Sequence, residues 1–282
     1  TESLQELSLA TEPSIPLFIA VDQEGGDISS APWVSPQPAA ADLGTRADPR
    51  EVREVSKQIG SELLQAGVNT DFAPVVDTGF GAAIGNRSFG EDPGLVSRLG
   101  AASVKGFEEA GVVSSAKHFP NHGVAVTDSH TGLPVVDHDR QTIDSYDLPP
   151  FRAAVEAGVP MVMVGHLVYP AIDPELPASL SPEAIGLLRE DLGFDGVVVT
   201  DDLAMAGASG EAPPSEAAVA AAKAGADLFV ISSPPQQQAD AYEAVVRAVE
   251  NGEIPKGQIE ESFRRIEKVK KEYPLYGKHR LE

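Results

Sequence analysis

Short apolar runs alternate with amphipathic stretches along most of the chain. The clearest apolar runs, 17–21 and 197–199, are continuously apolar, as strands covered on both faces must be. The stretches between them carry helix signals; in Ser181-Pro182-Glu183, for example, Ser can cap, Pro fits the first turn and Glu suits the helix dipole. Strands and helices that alternate in this way predict a parallel α/β sheet. The predicted strands are 16–21, 68–74, 112–119, 159–167, 196–200 and 226–231.

Five glycines divide the chain into repeating units. Each lies where an amphipathic stretch gives way to an apolar run, and glycine can adopt the left-handed conformation that ends a helix. The spacing fits one strand plus one helix per unit. These glycines are Gly67, Gly111, Gly158, Gly193 and Gly225.

Polar residues cluster at the carboxyl ends of the predicted strands. These ends meet on one face of a barrel, whereas a doubly wound sheet gathers ligands only around its switch point. Six contributing strands therefore favour a TIM-type (β/α)8 barrel. Because only six strands can be counted, we expect one or two β/α units to precede Thr1, or an irregular closure; residues 1–282 are predicted to form a single catalytic domain. The polar residues are Asp22, Glu24, Asp77, Lys117, His118, His166, Asp201, Asp202 and Ser232.

Composition narrows the classes of function. The 282 residues include 21 Lys and Arg against 43 Asp and Glu, a net charge of −22 that argues against a nucleic-acid or anionic-membrane surface. No apolar run is long enough to span a membrane, so a soluble globular protein is predicted. The absence of cysteine excludes disulfides, a thiol nucleophile and Cys-ligated metals. The first residues lack a signal pattern and look processed or trimmed, and the sequence leaves compartment and oligomeric state open.

The segment 117–130 holds three of the six histidines, His118, His122 and His130. It follows an apolar strand and contains Pro120 and Gly123, so a long loop at the mouth of the barrel is predicted. A carboxylate two residues before a histidine can hold the imidazole in one tautomer and leave a proton donor poised near neutral pH. Asp128 and His130 are therefore either an acid/base pair or only the brace of a turn.

Three further positions carry candidate chemistry. Asp201 lies at a strand end, where a carboxylate can be a nucleophile, a metal ligand, a sugar-hydroxyl acceptor or a simple cap. Asp202, which follows, is predicted to point elsewhere as a helix cap or a supporting group. Arg87 is either a surface charge or a clamp for a carboxylate or a pair of hydroxyls. The pair Gly25-Gly26 is not a phosphate loop, because no Gly-Lys-Ser/Thr follows.

Six ordered segments resemble the single-domain β-N-acetylglucosaminidases of glycoside hydrolase family three. The resemblance covers nearly the whole chain and implies a TIM-type barrel and a retaining, exo-acting hydrolase that removes terminal β-linked N-acetylglucosamine from cell-wall fragments or chitin oligomers. It implies a small carbohydrate as the partner, and neither a cofactor nor a metal. The segments are Asp22–Gly26, Phe72–Asp77, Ile84–Asp92, Lys117–Gly123, Asp128–His130 and Thr200–Met205.

The same resemblance assigns roles to seven residues. Asp201 matches the nucleophile of the family, and His130 matches the acid/base, paired with the match of Asp128. The terminal sugar is held by positions that match Asp22, Arg87, Lys117 and His118.

The chain departs from the family pattern at three positions. Asp27 and Ser30 stand where family members usually carry arginines, so one substrate clamp is lost or supplied from elsewhere. Asn121 replaces the usual glycine, a change expected to alter the hinge of the loop. None of these changes touches Asp201 or the Asp128–His130 pair.

Other functions stay open at the level of sequence. His118, His122, His130, His166 and Asp201 could supply the ligands of a metal-dependent barrel hydrolase, although Pro120 argues against a helical ligand pair. A non-catalytic sugar-binding protein is the second alternative. If the chain is a glycosidase, a third question is which molecule accepts the sugar. A histidine acid/base repels an anionic acceptor less than a carboxylate would, so phosphate could compete with water as the acceptor.

Overall fold

Six parallel strands form the central sheet of the structure, a computed structural model that describes residues 1–210, 212–273 and 275. The strands run in the order β1-β4-β5-β6-β7-β8. They are β1 (Ala20–Val21), β4 (Thr70–Asp71), β5 (Val113–Phe119), β6 (Met161–Val164), β7 (Val197–Asp202) and β8 (Leu228–Val230). A small antiparallel hairpin, β2 (Gln23–Gly25) with β3 (Ile28–Ser29), follows β1.

Within these described residues, one helix precedes the first strand and the others lie between the strands or after the last one. Short 3₁₀ turns occur at Gly85–Arg87 and Ala178–Leu180, and π-helical turns at Ile143–Asp147 and Leu187–Asp191. The α-helices are α1 (Glu2–Leu9), α2 (Ala40–Arg46), α3 (Pro49–Gln65), α4 (Pro93–Ala110), α5 (Arg140–Thr142), α6 (Leu148–Glu156), α7 (Pro182–Gly186), α8 (Ala206–Ser209), α9 (Pro214–Ala224), α10 (Pro235–Glu250) and α11 (Lys256–Glu272).

The predicted parallel α/β sheet is confirmed. Five of the predicted strands contain the observed strand, and the sixth, 196–200, overlaps β7, which continues to Asp202. Every neighbouring pair is parallel. All five predicted helix-ending glycines have positive φ, between 67° at Gly193 and 104° at Gly225. The Ser181 hydroxyl caps α7 by accepting a hydrogen bond from the Ala184 N–H at 3.1 Å, as its sequence context predicts.

Alternate side chains of the strands enter two different apolar layers. On β7, Val198 packs in the outer cluster beneath the helices, while Val197 and Val199 belong to an inner cluster. This is the period of two expected of a strand, here with both faces covered. Met161 and Met163 of β6 join the inner cluster. The inner apolar layer lies under the polar residues that follow the strands.

Helix α11 and Leu275 cover the amino-terminal side of the inner layer. Val269 and Leu275 are buried in the inner cluster, and the Lys270 ammonium donates to the carbonyl of Pro16 at 2.7 Å. The Leu275 carbonyl accepts hydrogen bonds from the side-chain amides of Gln5 (3.2 Å) and Asn69 (2.9 Å). In the part of the chain that the structure describes, β1 and β8 are the edges of the sheet and no further strand joins them. Over the same residues, no helix is both long and apolar enough to cross a membrane.

Candidate active site

A pocket of about 360 Å³ opens at the carboxyl ends of the strands. It brings together six of the seven residues to which the resemblance assigns a role. The seventh, Asp128, lies behind His130 and contacts it directly. Apolar walls come from Ile28, Phe72, Met163, Met205 and Val230. The polar lining consists of Asp22, Glu24, Ser30, Arg87, Lys117, His118, His130, Asp201, Asp202 and Ser232.

A network of opposite charges forms the floor of the pocket. The Lys117 ammonium, from β5, lies 2.5 Å from Asp22 Oδ1 and 2.7 Å from Glu24 Oε1. Arg87 holds the same Glu24 carboxylate through two nitrogens, with Nε at 2.8 Å from Oε2 and Nη2 at 2.7 Å from Oε1. The two-nitrogen geometry fixes both orientation and distance. We call Asp22, Glu24, Arg87 and Lys117 the floor cluster.

Mutual pairing keeps Glu24, Arg87 and Lys117 charged in spite of their burial. Burial raises the pKa of Glu24, but Lys117 and Arg87 outweigh this effect and bring the pKa down to about 2. Burial likewise lowers the pKa of Lys117, and the carboxylates of Glu24 and Asp22 more than reverse it. The sequence flagged Glu24 only as a polar residue at a strand end. Its position two residues after Asp22 was the available signal, but its role as the common partner of both cations was missed.

Asp77 orients His118 at the side of the floor cluster. The Asp77 carboxylate is fully buried and lies 2.7 Å from His118 Nδ1; it also accepts the His122 backbone N–H at 2.6 Å. Burial raises the pKa of Asp77, but the neighbouring His118 imidazole and its hydrogen bond lower it below its usual value, so the group is ionised. An ionised carboxylate makes Nδ1 the donor. His118 Nε2, 3.4 Å from Arg87 Nη2, then faces the pocket.

Asp201 and Asp202 end strand β7 and point to different partners. The Asp202 N–H donates to Asp201 Oδ1 at 2.8 Å. The Asp202 carboxylate accepts the N–H groups of Ala204 (3.0 Å) and Ser232 (2.9 Å), so it joins the loops after β7 and β8. It does not cap a helix, because the next helix, α8, has Met205 at its N-cap and no side-chain cap; of the two predicted roles, the contacts fit the supporting group. Burial raises the pKa of Asp201, but His118 and His166 outweigh it, so its pKa lies below the usual value and the carboxylate is ionised.

The Asp128–His130 pair lies on a long loop, as predicted. No helix or strand occurs between the end of β5 at Phe119 and the start of α5 at Arg140. His130 Nδ1 lies 2.7 Å from Asp128 Oδ1, which also accepts the His130 backbone N–H at 2.9 Å. That backbone hydrogen bond is the main reason why the pKa of Asp128 is lowered. With Nδ1 engaged, Nε2 is the ring nitrogen available to a substrate.

Two of the histidines considered as metal ligands do not face the pocket. His122 Nε2 lies 2.8 Å from Ser129 Oγ, and His166 binds Ser179 Oγ (2.7 Å) and the Asp202 carbonyl (2.9 Å). Burial lowers the pKa of both imidazoles. Among the residues that the structure describes, no three His, Asp or Glu side chains are grouped so that they could hold a metal ion. The candidate ligands of a metallohydrolase therefore do not converge.

The three residues that depart from the family pattern, Asp27, Ser30 and Asn121, lie at or near the pocket, and Asp27 and Asn121 make side-chain hydrogen bonds. Asp27 accepts a hydrogen bond from the Asn86 side chain at 2.8 Å, which ties the β2–β3 turn to the segment that carries Arg87. Ser30 lines the pocket. Asn121 is buried, and its side-chain oxygen accepts the backbone N–H groups of Thr78 and Gly123, both at 2.9 Å.

The Asn121 amide group also reaches beyond the loop. It donates to Asp147 Oδ1 at 2.7 Å, and Asp147 Oδ2 lies 2.8 Å from His138 Nδ1. Asn121 was predicted only to alter the hinge of the loop. Its side-chain hydrogen bonds instead connect the loops after β4 and β5 to each other and to the start of α6. This network was not predicted from the sequence.

Comparison with known proteins places the chain in a family. The model of the glycosyl hydrolase family 3 N terminal domain matches residues 1–269. The chain belongs to glycosyl hydrolase family 3. The resemblance drawn from the six sequence segments is thereby confirmed at the level of the family.

Family 3 relatives are similar over nearly the whole chain. β-Hexosaminidase A of Pseudoalteromonas piscicida is 38% identical, with 97% of this chain and 50% of the relative covered. A solved family 3 β-N-acetylglucosaminidase from Paenibacillus sp. str. FPU-7 has a TM-score of 0.95 at 40% identity, over 99% of this chain and 54% of that one. The LpqI structure from M tuberculosis has a TM-score of 0.88 at 33% identity, over 95% and 80%. The chain thus spans from half (50%) to nearly two thirds (64%) of the length of curated relatives such as these β-hexosaminidases.

Proposed function

We propose that this family 3 chain is a retaining, exo-acting β-N-acetylhexosaminidase that removes terminal β-linked N-acetylglucosamine from cell-wall fragments or chitin oligomers. One observation carries the proposal: Asp201 and His130, which is paired with Asp128, line the same 360 Å³ pocket. The names of the relatives, β-hexosaminidase and β-N-acetylglucosaminidase, point to the same activity. Residues 1–282 act as one catalytic domain in this proposal.

The first chemical step forms a glycosyl-enzyme. His130 Nε2 donates its proton to the glycosidic oxygen while the bond from that oxygen to C1 of the sugar breaks, and an Asp201 carboxylate oxygen bonds to C1. The lowered pKa of Asp201 supports this role, because only the ionised carboxylate is a nucleophile. Asp128 stabilises the protonated imidazole before the transfer and holds the ring in place.

The second step releases the sugar from the glycosyl-enzyme, and in it His130 accepts a proton instead of donating one. Water attacks C1, His130 Nε2 accepts a proton from that water, and the bond between C1 and Asp201 breaks. The products are the free sugar, with its configuration retained, and the starting enzyme. Hydrolysis is proposed over phosphorolysis, and sugar product analysis in phosphate buffer tests this: free sugar is expected, and sugar 1-phosphate would contradict it.

The floor cluster and His118 would hold the terminal sugar. Asp22 has a half-exposed carboxylate, suited to accept hydrogen bonds from sugar hydroxyl groups, and Arg87 and Lys117 offer N–H donors from fixed positions. A pocket closed at its base suits the end of a chain better than its middle, which supports exo action. We further infer that the six-stranded sheet belongs to a TIM-type (β/α)8 barrel, because each of its strands, or the segment directly after it, contributes a lining residue to one pocket.

Turnover of a chromogenic N-acetylglucosaminide tests the proposal. We expect Asp201→Asn to lower turnover by about 10⁴-fold or more, because covalent catalysis is lost. The matched control is Asp202→Asn on the adjacent residue, which should act mainly on stability. Circular dichroism and a thermal melt establish that each variant is folded. A folded Asp201→Asn enzyme with near-native turnover would contradict the assignment.

The proposed mechanism uses no metal ion. Activity is expected to survive dialysis against a chelator, since Asp201 alone stabilises the positive charge at C1. Loss of activity on chelation with recovery on adding zinc would favour the metal-dependent hydrolase instead.

A further inference from the structure

Ser129 differs from the residues around it on the loop that carries the acid/base pair. It is 1% exposed and is the only buried residue within 126–133. The side chains on either side of it, Asp128 and His130, are 40% and 66% exposed. The serine side chain therefore turns into the protein while its two neighbours turn toward the pocket mouth.

Ser129 joins the loop to both halves of the site. Its hydroxyl lies 2.8 Å from His122 Nε2, and the backbone of His122 is held by Asp77, the residue that orients His118. Its carbonyl accepts the N–H of Gly207 at 3.0 Å. Gly207 belongs to α8, which follows the end of β7 where Asp201 lies. One residue thus connects the loop to the sugar-binding side and to the side of the nucleophile.

The close approach at Gly207 depends on the absence of a side chain. A Cβ atom at this position would lie 3.1 Å from the Ser129 carbonyl oxygen and 3.0 Å from the Cβ of His166. Both distances are tighter than ordinary van der Waals contact. The segment after the nucleophile and the acid/base loop are therefore fitted to each other at this point.

We propose that Ser129 is a positioning residue that fixes His130 relative to Asp201. This inference rests on the proposed glycosidase function. A general acid works only within hydrogen-bond reach of the oxygen that it protonates, and small displacements are costly. The side chain of His130 is largely exposed and that of Asp128 partly exposed, so neither is fixed by packing, and Ser129 supplies the buried contact that they lack.

The test compares substrates that do and do not need protonation. In Ser129→Ala, kcat/KM for an N-acetylglucosamine disaccharide should fall by about 10- to 100-fold, the scale expected of a misplaced catalytic group. For a nitrophenyl N-acetylglucosaminide, whose leaving group departs unaided, kcat/KM should change much less. The rate should also become more sensitive to leaving-group basicity. Thr127→Ala, at an exposed position of the same loop, is the matched control and should leave both values unchanged.

A double variant separates positioning from general loss of structure. Adding Ser129→Ala to His130→Ala should cause no further loss of kcat/KM on the disaccharide, because the residue that Ser129 positions is already absent. Gly207→Ala disturbs the same contact from the side of α8. It should also lower kcat/KM more on the disaccharide than on the nitrophenyl substrate, so the inference can be tested even if Ser129→Ala does not fold.

The outcomes distinguish the inference from the function on which it rests. Equal losses on the two substrates, no loss on either, or a further loss in the double variant would overturn the positioning role of Ser129 while the wild type remains active. A wild-type enzyme that turns over neither substrate would overturn the proposed function, and the inference with it.

Discussion

The floor cluster and the Asp128–His130 loop are built in opposite ways. The side chains of Lys117 and Glu24 are 2% and 6% exposed and are held by several charged partners at 2.5 to 2.8 Å. Asp128 and His130 are 40% and 66% exposed and bind mainly each other. Apart from Asp22, which is 48% exposed, the floor cluster is buried and fully paired, whereas the loop pair is more open and its side chains have few contacts.

This difference separates stability from chemistry. Buried charges lose their hydration on folding and need their partners to compensate, so a change in the floor cluster should affect the whole fold. An exposed pair on a loop contributes little to folding, so a change there should affect only the reaction step that uses it. The following predictions test this separation from the largest expected effect to the smallest.

Removal of the acid/base side chain should affect catalysis without affecting stability. In His130→Ala, kcat/KM on a disaccharide is expected to fall by about 10²–10⁴-fold, the usual value of general acid catalysis, and much less on a nitrophenyl substrate. The melting temperature should stay close to that of the wild type. Asp128→Asn should show the same pattern more weakly. Equal losses on both substrates would mean that the acid/base is another residue.

Removal of the buried ammonium should have the converse effect. Lys117→Met leaves Asp22 and Glu24 with one cation fewer and should lower the free energy of unfolding by about 3–5 kcal/mol, as expected when a buried ion pair is broken. Whatever activity is left should decline similarly on both substrates. Lys105→Met, which breaks an exposed pair with Glu108, is the control and should change stability by less than about 0.5 kcal/mol. A stable Lys117→Met enzyme would show that the floor cluster is not a structural unit.

Acid should unfold the protein through the floor cluster. The pKa of Glu24 falls from 4.5 to about 2 on folding, so its ionised form stabilises the native state above pH 4.5, and this contribution is lost as the pH falls toward 2. A shift of this size corresponds to roughly 3 kcal/mol. Urea unfolding between pH 5 and pH 2 measures the slope, which should be flatter in Glu24→Gln. An unchanged slope in that variant would assign the acid sensitivity to other carboxyl groups.

The cross-brace at Asn121 should contribute less than the floor cluster. Asn121→Gly restores the residue usual in the family but removes the side-chain hydrogen bonds to Thr78, Gly123 and Asp147, at an expected cost of about 1–3 kcal/mol. Asn121→Asp has the same shape but places a carboxylate against Asp147. It should therefore be less stable than the glycine variant at neutral pH and recover as the pH falls. A glycine variant as stable as the wild type would contradict this account.

The sequence was informative where local chemistry decides the structure. Apolar runs identified all six parallel strands, and the glycines that end the helices did adopt positive φ. Asp128 and His130 are only two residues apart, so their contact could be inferred from spacing. These features depend on neighbours in the chain.

The features that the sequence did not reveal depend on distant residues. Glu24 meets Arg87 across 63 positions, and Asn121 meets Asp147 across 26. The spacing of Asp22 and Glu24 was a local signal for a shared site, but it does not reveal that the glutamate binds both Arg87 and Lys117. The cover of the inner layer by α11 could not be predicted either, because an amphipathic helix can pack on either side of a sheet.

The carbonyl of Leu275 has a consequence for how the chain must fold. Its donors Gln5 and Asn69 lie 270 and 206 residues earlier, so these contacts are among the least local in the molecule. Such contacts form late in folding, because closing so long a loop costs conformational entropy before the contacts can compensate for it. During synthesis, the strands that carry Met161 and Val197 leave the ribosome long before α11 can cover them. The apolar side chains of the inner layer therefore lack this cover until almost all of the described residues have been translated.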